Sequence, residues 1–144
     1  NFITFKTKKN NGTRIEGGIN YKNQCLWISI LDYLNNFGGY EDLTLTILRD
    51  IANSGTAIND TKSVFDDQYH KQALKNISNI YNLQINFNAC NIRKGKEVIL
   101  DNPNEIILPD NDNEIDPEII WIVSYGNHFE LITEKDGQKL CLFC

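Results

Sequence analysis

Apolar positions change their period twice along this chain of 144 residues. Between Cys25 and Leu34 nearly every position is apolar (Leu26, Trp27, Ile28, Ile30, Leu31, Tyr33, Leu34), the pattern of a helix buried on all sides. Asn23 stands where an N-cap is needed and Gly38-Gly39 where a stop is needed, so a helix is expected over 24–36. A second helix, 41–53, carries Leu43, Ile47, Leu48 and Ile51 on one stripe and halts before Gly55. A third, 66–80, carries Tyr69, Ala73, Leu74, Ile77 and Tyr81 at helical spacing.

From residue 83 the period becomes two. Leu83, Ile85 and Phe87 alternate with Gln84, Asn86 and Asn88, as in a half-buried strand. Short strands are expected at 97–100 and 105–108, followed by a solvated acidic loop over 110–118. Ile119–Val123 is an unbroken apolar run, the pattern of a central strand. Tyr125-Gly126-Asn127 turns the chain into a strand over 128–134, and Asp136-Gly137 makes a tight hairpin into a last strand over 138–143. The first 21 residues hold only a short alternation, Phe2-Ile3-Thr4-Phe5, and a turn at Asn10-Asn11-Gly12, which predicts an irregular or hairpin-like lead-in. Helices first and a mostly antiparallel sheet afterwards is an α+β order, and the length fits one domain over 1–144.

Composition narrows the functional classes. The net charge of -5 is the wrong sign for a nucleic-acid binder, and the basic pairs Lys8-Lys9 and Arg93-Lys94-Gly95-Lys96 read as solvated faces. No apolar run approaches a membrane span. The four cysteines (25, 90, 141, 144) follow no disulfide framework. Cys141-Leu142-Phe143-Cys144 has the spacing of half a zinc site, but its remaining ligands would have to come from isolated residues, so no metal and no cofactor is expected. Reduced thiols point to an intracellular, cytoplasmic protein, in a host cytoplasm if the chain is viral or bacterial, as its 20 Asn and 20 Ile would suit.

Cys25 is the residue whose placement carries chemistry. At the second position of a helix, a thiol faces unpaired backbone N–H groups and the positive end of the helix dipole, both of which favour thiolate. The same N–H groups are placed to receive an oxyanion, and Gln24 offers a side-chain donor or a solvent-facing amide. His128 opens a late strand, and Glu130 lies in phase with it, able to accept from the imidazole Nδ1 and hold its tautomer. Asn127 is the rival orienter. Each residue alone is ordinary: a cysteine in an apolar helix is usually a small buried hydrophobe, and His-x-Glu is common. Their conjunction points to papain-type cysteine chemistry, with His70, beside Lys71 on the third helix, the weaker base candidate.

At these residues the chain resembles the ovarian tumour (OTU) family of deubiquitinating cysteine proteases. Lys22-Asn23-Gln24-Cys25-Leu26-Trp27-Ile28-Ser29-Ile30 matches the family's Asp-Gly-x-Cys block and its apolar helix. Ile119-Ile120-Trp121-Ile122-Val123 and Asn127-His128-Phe129-Glu130-Leu131-Ile132 match its last strand and histidine block, while 73–77 and 83–87 match the helix-then-strand step between them. The resemblance implies a papain-like fold, with Cys25 as nucleophile, His128 as base and Glu130 as orienter. Lys22, Gln24 and Asn127 fall in its oxyanion and orienting positions. It implies a monomer acting on ubiquitin, polyubiquitin or a ubiquitin-like modifier, which would rest against residues 40–82. Lys22 replaces the family's Asp, Asn23 its Gly, and Glu130 its shorter Asp or Asn. These departures set two alternatives beside a deubiquitinase. One is a catalytically impaired ubiquitin-binding module, and the other a papain-like peptidase or acyltransferase with a different substrate.

Overall fold

The computed structural model describes residues 1–54, 67–110 and 114–140, and the side chains of all of these except 67–70. In chain order the elements are β1 (Phe2–Lys8), β2 (Arg14–Glu16), β3 (Ile19–Tyr21), α1 (Cys25–Asn36), α2 (Leu45–Ala52), α3 (Asp67–Tyr81), β4 (Leu83–Ala89), β5 (Asn91–Arg93), β6 (Lys96–Leu100), β7 (Glu105–Ile107), β8 (Glu118–Ser124), β9 (Phe129–Lys135) and β10 (Gln138–Lys139). The architecture is α+β: a mixed sheet ordered β5-β6-β1-β9-β8-β4-β7, β10 on β9, and a separate β2–β3 hairpin. No helix among the described residues is long and apolar enough to cross a membrane.

Ten of the twelve residues of α1 are buried, as its all-round apolar pattern demands. Trp27, Ile30, Leu31 and Leu34 form the main core with Leu45 and Leu48 of α2, Ile77 of α3, and Ile85, Ile120, Ile122 and Leu131 on one sheet face. A smaller core of Phe5, Ile99, Val123 and Ile132 fills the other face. β8 lies between β4 and β9, so the continuous apolar run is indeed a strand interior to the sheet.

Three expectations need correction. The N-terminal residues are not an irregular lead-in: β1 is seven residues long and lies between β6 and β9, pairing Phe2 with Leu100 and Phe5 with Lys135. Its alternation hides behind Thr4, Lys6 and Lys8, and its partners lie far along the chain. Asn23 does not cap α1: it turns the chain at φ 57°, Gln24 holds the cap position without a side-chain cap bond, and Cys25 is the first helical residue rather than the second. α2 begins at Leu45, capped by Thr44, whose hydroxyl accepts from the Ile47 N–H. Arg93-Lys94-Gly95-Lys96 is exposed, as a solvated face should be, and forms the β5–β6 turn, with Lys94 and Gly95 in left-handed conformation.

One strand pair sets the geometry of the end that carries Cys25 and His128. β4 and β8 run parallel, from Leu83↔Glu118 to Ala89↔Ser124, while the other described pairings are antiparallel. Both strands therefore end at the same edge, where β8 turns through Gly126 into β9 and where the first turn of α1 arrives.

Candidate functional site

The thiol is held by the start of α1 and by a loop over it. The Gln24 N–H donates to the Gly12 carbonyl (2.9 Å), which brings residues 9–13 across the helix end. Gly12 is required there. It sits at φ +76°, and a Cβ on it would lie 3.3 Å from the Cys25 nitrogen and 3.6 Å from the Cys25 Cβ. Asn10 ties this loop to both halves of the site. Its Nδ2 donates to Ser29 Oγ of α1 and to the Phe129 carbonyl of β9, each at 3.3 Å, and its Oδ1 accepts from the Gly12 N–H. Ser29 in turn donates to the Cys25 carbonyl (2.7 Å).

On the facing turn, Cys25 Sγ contacts the Asn127 carbonyl at 3.9 Å, so the thiol abuts the residue that precedes His128. Tyr125 N–H donates to the His128 carbonyl (2.8 Å), which closes the turn and fixes His128 just ahead of β9. The Tyr125 ring stacks on the imidazole (6.1 Å, 26°) and its hydroxyl donates to Glu97 (3.2 Å). Burial of that phenol, with the charges of Glu97 and Glu130 nearby, pushes its pKa well above the usual value and keeps it neutral.

Glu130 faces the imidazole as its phase with His128 requires. The bond, however, runs from His128 Nε2 to Glu130 Oε2 (2.9 Å), not from Nδ1. An ionised carboxylate only accepts, so Nε2 carries a proton, and in the neutral ring the lone pair falls to Nδ1. Burial alone would push the Glu130 carboxyl up. Hydrogen bonds from His128, Thr7 and Lys9, and the Lys9 charge, outweigh it and hold the group below its ordinary 4.5. Thr7 Oγ1 (2.7 Å) and Lys9 Nζ (3.2 Å) both reach Glu130 Oε1.

Gln24 has a different task from the expected one. It is fully buried, its Nε2 donates to the Lys22 carbonyl (2.8 Å), and its Oε1 accepts from Arg49 of α2. This amide braces the loop ahead of the thiol and does not face solvent. Lys22 is exposed and contributes a backbone carbonyl to that brace, while Asn127 presents a carbonyl to the sulfur and an exposed residue to solvent. The side chain of His70, and Cys141 and Cys144 entirely, fall outside the described residues. Among the described residues no group of three His, Cys, Asp or Glu side chains is arranged to hold a metal.

A cleft of about 420 Å³ opens at the same end of the sheet. Leu26 and Phe129, which directly follow Cys25 and His128, line it with Phe87, Leu74 and the strand ends Ala89 and Ser124. Lys71 and Glu105, 3.8 Å apart, also border it.

Thr7, Lys9 and Asn10 are the site residues that sequence reasoning missed. No local signal marks them, because each acts across more than a hundred residues or through a loop. Comparison with protein-family models, with curated proteins and with solved structures finds no match to this chain.

Proposed function

We propose that the chain is a papain-like cysteine hydrolase of the ovarian tumour type that cleaves the isopeptide bond at the C-terminal glycine of ubiquitin or of a ubiquitin-like modifier. One observation carries the reading: Glu130 orients His128 through Nε2 at 2.9 Å, in the turn whose Asn127 carbonyl meets the Cys25 thiol at the head of a buried helix. That Cys25, His128 and Glu130 share one edge of the fold supports nucleophile, base and orienter roles for them.

The chemistry follows from the nitrogen left over. His128 Nδ1 takes the thiol proton, and the thiolate attacks the carbonyl carbon. The backbone N–H of Cys25, first in the helix, serves the developing oxyanion; that of Gln24 is already given to Gly12. As the C–N bond breaks, His128 returns the proton to the leaving lysine amine. Water then attacks the thioester with His128 as base, which releases the carboxylate and restores the thiol. Glu130 stabilises the imidazolium in both steps. The cleft beside Leu26 and Phe129 takes substrate adjoining the scissile bond, and the net charge of -5 suits a modifier with a basic tail.

The test is incubation with ubiquitin carrying a C-terminal propargylamide. The expected result is a single adduct at Cys25, absent in Cys25→Ala and in His128→Ala with circular dichroism unchanged. A folded protein whose Cys25 stays unlabelled refutes the proposal. Labelling by iodoacetamide alone would favour a peptidase or acyltransferase with another substrate. Ubiquitin affinity that survives Cys25→Ala, without cleavage of any chain, would favour a binding module.

A further inference from the structure

We propose that Thr7 is a positioning residue for the catalytic pair, its hydroxyl holding the Glu130 carboxylate in the rotation that presents Oε2 to His128. The inference rests on the cysteine-hydrolase reading above and adds a residue from the far end of the chain to its machinery.

The two oxygens of Glu130 are divided between tasks. Oε2 meets His128 Nε2, and Oε1 receives Thr7 Oγ1 at 2.7 Å and Lys9 Nζ at 3.2 Å. A carboxylate with one oxygen satisfied can turn about its last torsion, which is broad and nearly twofold. Donors fixed on the second oxygen remove that freedom. Thr7 is the stiffer donor: it is β-branched and half-buried on a strand interior to the sheet, whereas the Lys9 side chain is 72% exposed at the end of a long flexible stem.

The placement of Thr7 depends on an irregularity in the sheet. β1 pairs with β9 as Phe5↔Lys135 and Lys6↔Glu134, then shifts by one to Thr7↔Ile132 and Lys8↔Leu131. Without the shift Thr7 would oppose Thr133 and share a face with Leu131, which packs into the main core away from Glu130. With it, Thr7 joins the face of Ile132 and Glu130. Lys8 takes the opposite face and reaches Asp32 of α1 at 3.5 Å. A register slip that re-aims one side chain beside a candidate site is a recurrent use of such irregularities.

The experiment measures kcat and KM on a ubiquitin–aminomethylcoumarin conjugate, together with the rate of Cys25 alkylation by iodoacetamide, located by peptide mapping. Thr7→Val should lower kcat roughly ten- to a hundred-fold at unchanged KM, the range set by losing a hydrogen bond to a charged group. Thr7→Ser should keep the wild-type rate within about threefold, since it keeps the donor. In a Glu130→Gln background, Thr7→Val should cost nothing more, because Thr7 acts through Glu130. Thr7→Ala serves in place of Thr7→Val if the latter fails to fold. Wild-type kcat in the hydroxyl-less variant, equal damage from Thr7→Ser, a loss confined to KM, or an additive double variant would each overturn the positioning role. A wild-type Cys25 inert to both reagents would overturn the hydrolase reading and this role with it; a reactive wild type with an unaffected Thr7→Val would overturn this role alone.

Discussion

Glu130→Gln tests the core of the mechanism with almost no change in volume. Glu130 is 5% exposed and accepts three hydrogen bonds, from His128 Nε2 (2.9 Å), Thr7 (2.7 Å) and Lys9 (3.2 Å). An amide can keep one acceptor. If its oxygen stays on His128, its NH2 group faces the Lys9 ammonium, donor against donor; if it flips, the imidazole loses its acceptor. Either way the imidazolium loses a charge partner. A hydrogen bond to a charged group contributes about 1.5–3 kcal/mol, so kcat should fall roughly ten- to a hundred-and-fifty-fold. Asn127→Ala should cost less, because Asn127 meets the thiol through its backbone. Steady-state kinetics of the two variants on one ubiquitin conjugate decide the matter. The opposite ranking would transfer the orienting role to Asn127 and refute the reasoning. Stability supplies an independent readout. The Glu130 carboxyl is held below 4.5, so its contribution is present above that pH and is lost as pH falls through the folded-state value. Glu130→Gln should therefore flatten the acid limb of the stability profile in urea titrations at pH 3–6.

Two further predictions concern the supports of the site. Glu16 accepts from the Leu45 and Thr46 N–H groups (both 2.9 Å) and from the Thr46 hydroxyl (2.8 Å), capping α2 from the β2–β3 hairpin. Glu16→Ala should cost about 1–2 kcal/mol, read as a fall in Tm of about 3–8 °C, and an unchanged Tm would show the cap to be redundant. Gly12→Ala forces a side chain to φ +76° against the Cys25 backbone nitrogen, so both Tm and the rate of Cys25 labelling should drop. A variant with normal labelling would mean the loop can lift away from the helix without consequence.

The parts legible in the sequence are those governed by local periodicity. The all-round apolar run of α1, the unbroken run of β8 and the phase of Glu130 with His128 each announce their burial or facing directly. What escaped is non-local. β1 has a polar face of Thr4, Lys6 and Lys8 and a single buried residue, Phe5, so nothing within it reveals that it lies inside the sheet. The parallel pairing of β4 with β8 is invisible to hydropathy, which reports burial and not direction. The choice of Nε2 over Nδ1 follows from a turn geometry that sequence spacing does not encode. Gln24 misleads for a related reason: a polar residue beside a thiol invites a chemical role, while its partner, Arg49, lies on another helix.

The interior position of β1 also bears on when the site comes into being. The helix that bears the thiol completes at residue 36, but His128, just ahead of β9, and Glu130 within it are made only some ninety residues later. β1, whose Thr7 meets that carboxylate, precedes both of its sheet partners, β6 and β9, and stays unpaired until they are made. Pairing across such separations is slow to close. On the proposed reading, then, Cys25 of a nascent chain has no base until His128 has emerged and β9 has paired with β1. If the proposed chemistry holds, a sheet that joins an early strand to a late one acts as a timing device, leaving the thiol without its base in incomplete chains.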